Sequence, residues 1–317
     1  MAKSVEAIGV GVDVSRAEIC VCRQDITGVQ VLRNEQHVIR RWLRSFQGPV
    51  RLAVEATNTY HLTVVEEAHR LGHTVYVVDG YRLSRYRDSV GGRAKTDRTD
   101  AELLLRYLER EGCDLRAWSP PPAGYADLSR LLHRRATLVQ ASQRLRQSLA
   151  DVPEFKAIRQ VLFKQLAQLD RLMQRRIVQL LEHSGTAIDA RRCQAIQGVG
   201  PLTGAALANA FRRGRFSSSD AFVAFLGLDV RVRDSGTCKG RRRLTKQGDP
   251  ELRRLLHNAA MAARRTARWQ PLYQRYLQRG LKPTQVFVIL ARKLARIAFA
   301  LMKNQTDYQP QILSPAA

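Results

Sequence analysis

The segment AKTDRTDA at residues 94–101 places two aspartates, Asp97 and Asp100, three residues apart in a strongly basic chain. On a helix, residues three apart share a face, so both carboxylates can address one point. Asp13 closes the apolar run VEAIGVGVDVS and Glu55 closes the run VRLAVEAT. Taken singly, each has an ordinary explanation: a turn aspartate, a capping or solvated glutamate, surface partners for Lys95 and Arg98. Gathered at one place, four carboxylates repel unless cations stand between them. Hard divalent ions with oxygen ligands relieve that repulsion, and two of them about 4 Å apart activate a nucleophile and stabilise the leaving oxygen in phosphoryl transfer.

The elements that must position these residues follow from the apolar pattern. VEAIGVGVDVS at 5–15 predicts a strand ending at Asp13, and EICVCRQD predicts its partner. A helical stretch around Val38–Phe46 precedes a strand ending at Glu55, a helix through Thr63–Leu71 follows, and HTVYVVDG is a third clear strand. From Thr96 to Arg110, Ala101, Leu104, Leu105 and Leu108 recur with a helical rhythm that carries both aspartates. Strands first, then strands alternating with helices, describe a mixed α/β domain.

SPPPAG at 119–124 ends that domain, because consecutive prolines cannot continue a helix. From Tyr125 to about Glu182, Leu, Val and Ile recur three and four apart between Arg, Gln and Lys, with DVPEF at 151–155 as the turn. This predicts a helical hairpin or coiled-coil arm, which would space domains or dimerise. With 317 residues the chain exceeds the usual size of one core, so two domains and a connector are expected.

Lys and Arg number 53 against 28 Asp and Glu, a formal net charge of +25, so a polyanion is the expected partner. Nucleic acid fits best. The charge is spread over several segments without one amphipathic apolar face, which counts against a membrane surface, and no run approaches the roughly 18 apolar residues of a spanning helix. The opening residues lack the apolar core of a signal peptide, and the expectation is a cytoplasmic protein, at the nucleoid when acting. Cys20, Cys22, Cys113, Cys193 and Cys238 form no Cys-x-x-Cys pair, and the histidines show no metal spacing, so carboxylates would have to hold any metal.

Two further stretches point at phosphate. IQGVGPLTGAALANAF at 196–211 has the Gly198-x-Gly200 turn and small-residue helix of a helix-hairpin-helix, whose backbone N–H groups meet a DNA phosphate. A glycine turn between two packed helices fits the same spacing. Beyond it, Lys239, Arg241, Arg242, Arg243 and Lys246 lie in a glycine-broken basic loop, with Arg253 and Arg254 on the helix that Asp249 and Pro250 begin. These cations suit nucleic-acid backbone, although a solvated charge run is the plain alternative. Trp269, Tyr273 and Tyr276 stand among arginines, where they would stack on bases or pack in a core.

An aspartate ending strand one, a glutamate ending a later strand, and Asp-x-x-Asp on a helix are what a ribonuclease-H-like nuclease core uses. The stretches GVDVS, VEATNTY, KTDRTDAELL, IQGVGPLTGAAL, FLGLDVRVRDSGTCKGRRRLTKQGDPELRRLLHNAA and RKLARIAFALM resemble, in order and spacing and over nearly the whole chain, the insertion-sequence-110 family of transposases. The resemblance implies an α/β RNase-H-like (RuvC-like) N-terminal domain and a mainly α-helical C-terminal transposase domain with a helix-hairpin-helix. With the helical coiled-coil connector the division is 1–118, 119–188 and 189–317. It implies a metal site of Asp13, Glu55, Asp97 and Asp100 that binds Mg2+, and a nucleophilic serine at Ser235 in RDSGT. It further implies donor and target DNA, a structured guide RNA (a bridge RNA) and a homo-oligomer in which dimers pair into a tetramer. Where this chain has Asp234 the family often has glutamate, which keeps the carboxylate but shortens it.

Two rival readings remain at this stage. A junction nuclease would use the carboxylates and water, with Ser235 structural. A basic nucleic-acid-binding protein on a decayed catalytic fold would cut nothing, and the presence of all four carboxylates argues against decay.

Overall fold

The computed structural model describes residues 7–91, 96–231, 234–235, 238–239 and 242–310, with backbone alone at 234–235 and 238–239. The chain divides into two compact units, Met1–Pro120 and Pro121–Ala317.

In the first unit, β1 (Gly9–Val14), β2 (Glu18–Arg23) and β3 (Val29–Arg33) form an antiparallel meander, followed by α1 (Gln36–Arg44), β4 (Arg51–Glu55), α2 (Leu62–Arg70), β5 (Thr74–Val78), α3 (Gly80–Ser89) and α4 (Asp97–Glu111). The strand order is β3-β2-β1-β4-β5. β1 therefore pairs antiparallel with β2 on one side and parallel with β4 on the other. Parallel neighbours need a crossover connection, and α1 and α2 lie in the segments that supply it.

The alternation of side chains along β1 and β4 separates core from chemistry. Val10, Val12, Leu52 and Val54 face one side and pack with Ile39, Trp42, Leu43, Val64 and Val65 of α1 and α2. Ala53 belongs to the opposite face, where Leu83 of α3 and Leu104 and Leu108 of α4 close a second core. Each such fully buried Leu or Val contributes about 1.5–3 kcal/mol from removal of its surface from water. Asp13 and Glu55 fall in the same alternation phase as Gly11 and Ala53, on the α4 side.

Sequence periodicity missed two elements. β3 is an edge strand whose residues are largely exposed, so its apolar alternation is weak. α3 buries only Leu83 and starts directly behind β5, where Asp79 caps it by accepting from Tyr81 N and Arg82 N.

The second unit opens with α5 (Tyr125–Ser148) and α6 (Lys156–His183), joined through a short 3-10 turn at Pro153–Phe155. Along the hairpin Arg135 pairs with Asp170 at 2.7 Å, and Arg146 lies over the Phe163 ring at 4.2 Å. Leu128, Leu132, Ile177 and Leu181 are buried at its base, whereas Ile158 and Val161 towards the turn are exposed. Then follow α7 (Ala187–Gln194), α8 (Pro201–Arg212), α9 (Ser219–Phe225), the two-residue strands β6 (Val230–Arg231), β7 (Asp234–Ser235), β8 (Cys238–Lys239) and β9 (Arg243–Leu244), and the helices α10 (Pro250–Ala263), α11 (Gln270–Gln278) and α12 (Pro283–Asn304). One apolar core joins all these helices. Phe222 sits at its centre in edge contacts with Phe211 and Phe216 and a tilted contact with Phe299. Among the described residues no helix is long and apolar enough to cross a membrane.

Candidate active site

Three elements bring the four carboxylates to one end of the sheet. Val12 pairs with Val54 in the parallel β1–β4 ladder, so Asp13 and Glu55 leave adjacent strands at the same level. α4 lies across β1 because β1 has glycine where the helix crosses. A Cβ at Gly11 would fall on the Ala101 carbonyl oxygen and within 2.5 Å of the Leu105 nitrogen. Thr96 starts α4 with a reciprocal cap: Thr99 N donates to Thr96 Oγ1 at 3.2 Å, and Thr96 N donates to Thr99 Oγ1 at 2.9 Å. The cap fixes the turn that presents Asp97, which is exposed, and Asp100, which is buried.

The electrostatics record the convergence. Burial, followed by the charges of Glu55, Asp100 and Asp97, pushes the Asp13 carboxyl up to about 6. Cys20 stands opposite Asp13 on β2, and burial together with Asp97, Asp13 and Glu18 pushes its thiol up as well. Two chemically different groups therefore sense the same negative field. Carboxylates that raise one another's pKa in this way suit a hard divalent cation, whose charge would offset their mutual repulsion. Among the described residues, however, no three such side chains are already drawn to ligand distance.

Two residues that shape this site escaped the sequence reading. Gly80, the first residue of α3, leaves room for Glu55: a Cβ there would stand 2.6 Å from Glu55 Oε1. Arg87, near the end of α3, donates from Nη2 to Asp100 Oδ1 at 2.6 Å. The glycine in the middle of a strand at Gly11 is a readable signal of close backbone approach. The Arg87 contact has no sequence signature, because the pair bridges two helices.

The residues expected to meet nucleic acid divide into groups. Gly198, at φ +96°, is committed to packing: a Cβ would meet Ala259 O and the Ala263 Cβ at 2.6 Å on α10. Gly200, the N-cap of α8, faces open space. Arg254 donates twice to Glu251 at 2.6 Å, and Arg253 donates to Gly248 O at 2.6 Å, so both have partners within the fold. Arg242, Arg243 and Lys246 are exposed. Arg241 lies outside the described residues, as do the side chains of Lys239 and Ser235; the Ser235 backbone pairs with Cys238 across β7 and β8. Trp269 and Tyr273 are buried in the core, which assigns these two rings to packing.

The strand order, the mixed parallel and antiparallel pairing of β1 and the carboxylates at the ends of β1 and β4 and on α4 fit an RNase-H-like catalytic domain. A DEDD-type IS110 family described as Transposase matches residues 10–152, and the family described as Transposase IS116/IS110/IS902 matches residues 190–276. The chain belongs to this IS110 family of transposases, enzymes that recombine DNA. It is 28% identical to a probable family 20 transposase of Pseudomonas aeruginosa, over 94% of each chain. It is also 26% identical, over 83% of each chain, to pilin gene-inverting proteins of Moraxella bovis and of Moraxella lacunata.

Proposed function

We propose that this transposase cuts and rejoins DNA through a phosphoserine intermediate formed by Ser235, with Asp13, Glu55, Asp97 and Asp100 as ligands for Mg2+. The observation that carries the reading is the convergence of the four carboxylates, three of which add to burial in raising the Asp13 carboxyl to about 6. When bound, Mg2+ would supply charge stabilisation at the scissile phosphate. The chain's own part is to hold the strand, place the serine and stabilise charge. Ser235 Oγ attacks phosphorus, the bond from phosphorus to one deoxyribose oxygen breaks, and the serine proton passes to that released oxygen. The phosphodiester is exchanged for a phosphoserine ester, so the same exchange in reverse joins a new strand. Attack by water would lose that bond energy.

In this reading 1–118 is the RuvC-like catalytic domain, 119–188 a coiled-coil connector and 189–317 the serine-bearing domain. Gly200, Arg242, Arg243 and Lys246, with Lys239 and Arg241, meet nucleic-acid backbone; Arg253 and Arg254 would join them by exchanging their internal partners for phosphate. Donor and target are selected by a structured bridge RNA, and the protein works as a dimer that pairs into a tetramer. The relatives named for pilin-gene inversion support a recombinase that conserves DNA ends over a nuclease that leaves breaks.

The test is a denaturing pull-down of protein expressed with its flanking DNA, beside Ser235→Ala and Asp97→Ala. The expected result is DNA covalently attached in the parent and lost in both variants. Nicked DNA without an adduct, unaffected by Ser235→Ala, would instead assign the carboxylates to a hydrolytic nuclease.

A further inference from the structure

We infer that Arg87 is a built-in counter-ion of the carboxylate site, holding Asp100 until a divalent cation takes its place. The inference rests on the reading of these carboxylates as cation ligands and adds a residue that the four-carboxylate pattern does not contain. Arg87 and Asp100 meet at 2.6 Å with side-chain exposures of 13% and 6%. Surface ion pairs are weakened by water and salt, but this one is largely withdrawn from both. The other arginines of α3, Arg82 and Arg85, are exposed.

The choice of side chain matters. A guanidinium cannot discharge in a protein, so its positive charge opposes any second cation brought to the same carboxylate. The contact uses one nitrogen and one oxygen, Nη2 and Oδ1, and not the two-pronged fork that would lock the pair. A divalent ion arriving at Asp100 has to displace that guanidinium or tolerate it a few ångströms away. Once displaced, Arg87 stays tethered to α3 at the edge of the site, where a phosphate oxygen is the natural new partner for its planar donors. Arg87 is in these terms a positioning residue that keeps the carboxylate set partly neutralised when no metal is bound.

The experiment is calorimetric titration of the full chain with Mn2+, comparing the parent with Arg87→Gln, Arg87→Lys and Arg82→Gln. Removing the competing charge in Arg87→Gln should tighten Mn2+ binding by about three- to tenfold. It should also lower the melting temperature without metal and enlarge the rise that Mn2+ produces. Arg87→Lys, which keeps the charge, and Arg82→Gln, which removes a charge elsewhere on the helix, should stay close to the parent. Unchanged or weaker binding in Arg87→Gln would overturn the inference and leave Arg87 as a prop for Asp100. If the parent itself bound no Mn2+, the reading of the carboxylates would fall, and this inference with it. A second measurement needs no stable Gln variant. The Arg87 Nε–H NMR resonance of the parent, assigned by its loss in Arg87→Lys, should move on saturation with Mg2+, and a resonance that stays in place while Mg2+ binds would refute displacement.

Discussion

Gly11 of β1 and Ala101 of α4 lie backbone to backbone, with no space for a methyl group between them. This contact sets the height of α4 above the sheet, and so the height of Asp97 and Asp100 relative to Asp13. Gly11→Val should lift the helix, cost about 1–3 kcal/mol through overpacking, and weaken Mn2+ binding more than its stability loss explains. Urea unfolding beside a metal titration separates the two effects. A variant that keeps the parent's metal affinity would show that α4 can be raised without disturbing the site.

The two aspartates of α4 should differ sharply on substitution. Asp97 is exposed, and Asp97→Ala should abolish strand cleavage while leaving the melting temperature within a degree or two. Asp100→Ala strands a largely buried Arg87, and breaking a buried pair from one side costs about 3–5 kcal/mol. Asp97→Ala is therefore the clean inactive variant, and equal thermal shifts for the two would contradict this account.

Glu67 of α2 is buried and bound by Arg40, Arg70 and Gln36. The Arg40 hydrogen bonds, joined by Arg70 and Gln36 and opposed only by burial, hold its carboxyl far below the usual carboxylate range. A depressed carboxylate contributes stability at pH values above its unfolded value, near 4.3, and loses it as pH falls towards the folded value. Glu67→Gln should destabilise the protein by about 1–3 kcal/mol at pH 7, with the gap to the parent closing progressively below about pH 4. Chemical denaturation at a series of pH values measures that gap, and a constant difference would rule the linkage out.

Gly198 and Gly200 bracket one turn but answer to different constraints. Gly198→Ala should destabilise the C-terminal unit, because it combines a left-handed backbone with a collision against α10. Gly200→Ala has the space to fold normally. If this turn meets phosphate, Gly200→Ala should weaken DNA or RNA binding in a filter or anisotropy assay with an unchanged circular dichroism spectrum. Unaltered binding would make the hairpin a packing device.

Much of the catalytic unit was legible in the sequence for a definite reason. β1, β4 and β5 are nearly continuous apolar runs, as strands covered on both faces must be, and their ends mark Asp13 and Glu55 without any knowledge of the fold. α4 announced itself through Leu104, Leu105 and Leu108. β3 and α3 escaped because they bury little, so hydrophobic periodicity has nothing to report. Arg87 and Gly80 escaped for a different reason: their partners are set by how helices pack on the sheet. In the C-terminal unit, a spacing that fits a phosphate-binding hairpin proved to contain one glycine used for packing and one left open, a distinction that needs the neighbouring helix.

α4 is also the last α-helix of the first unit and the bearer of two of the four carboxylates of the candidate site. Because chains are synthesised from the N-terminus and domains fold as units while they emerge, the order of these elements has a biological meaning of its own. A chain arrested before α4 would have an aspartate and a glutamate at the ends of two central strands, lacking the second pair of acids of the proposed metal site. In the proposed reading the metal-holding set is thus completed only in the final step of this unit's assembly, strand cleavage waits further for the segment that carries Ser235, and an abandoned translation product lacks both.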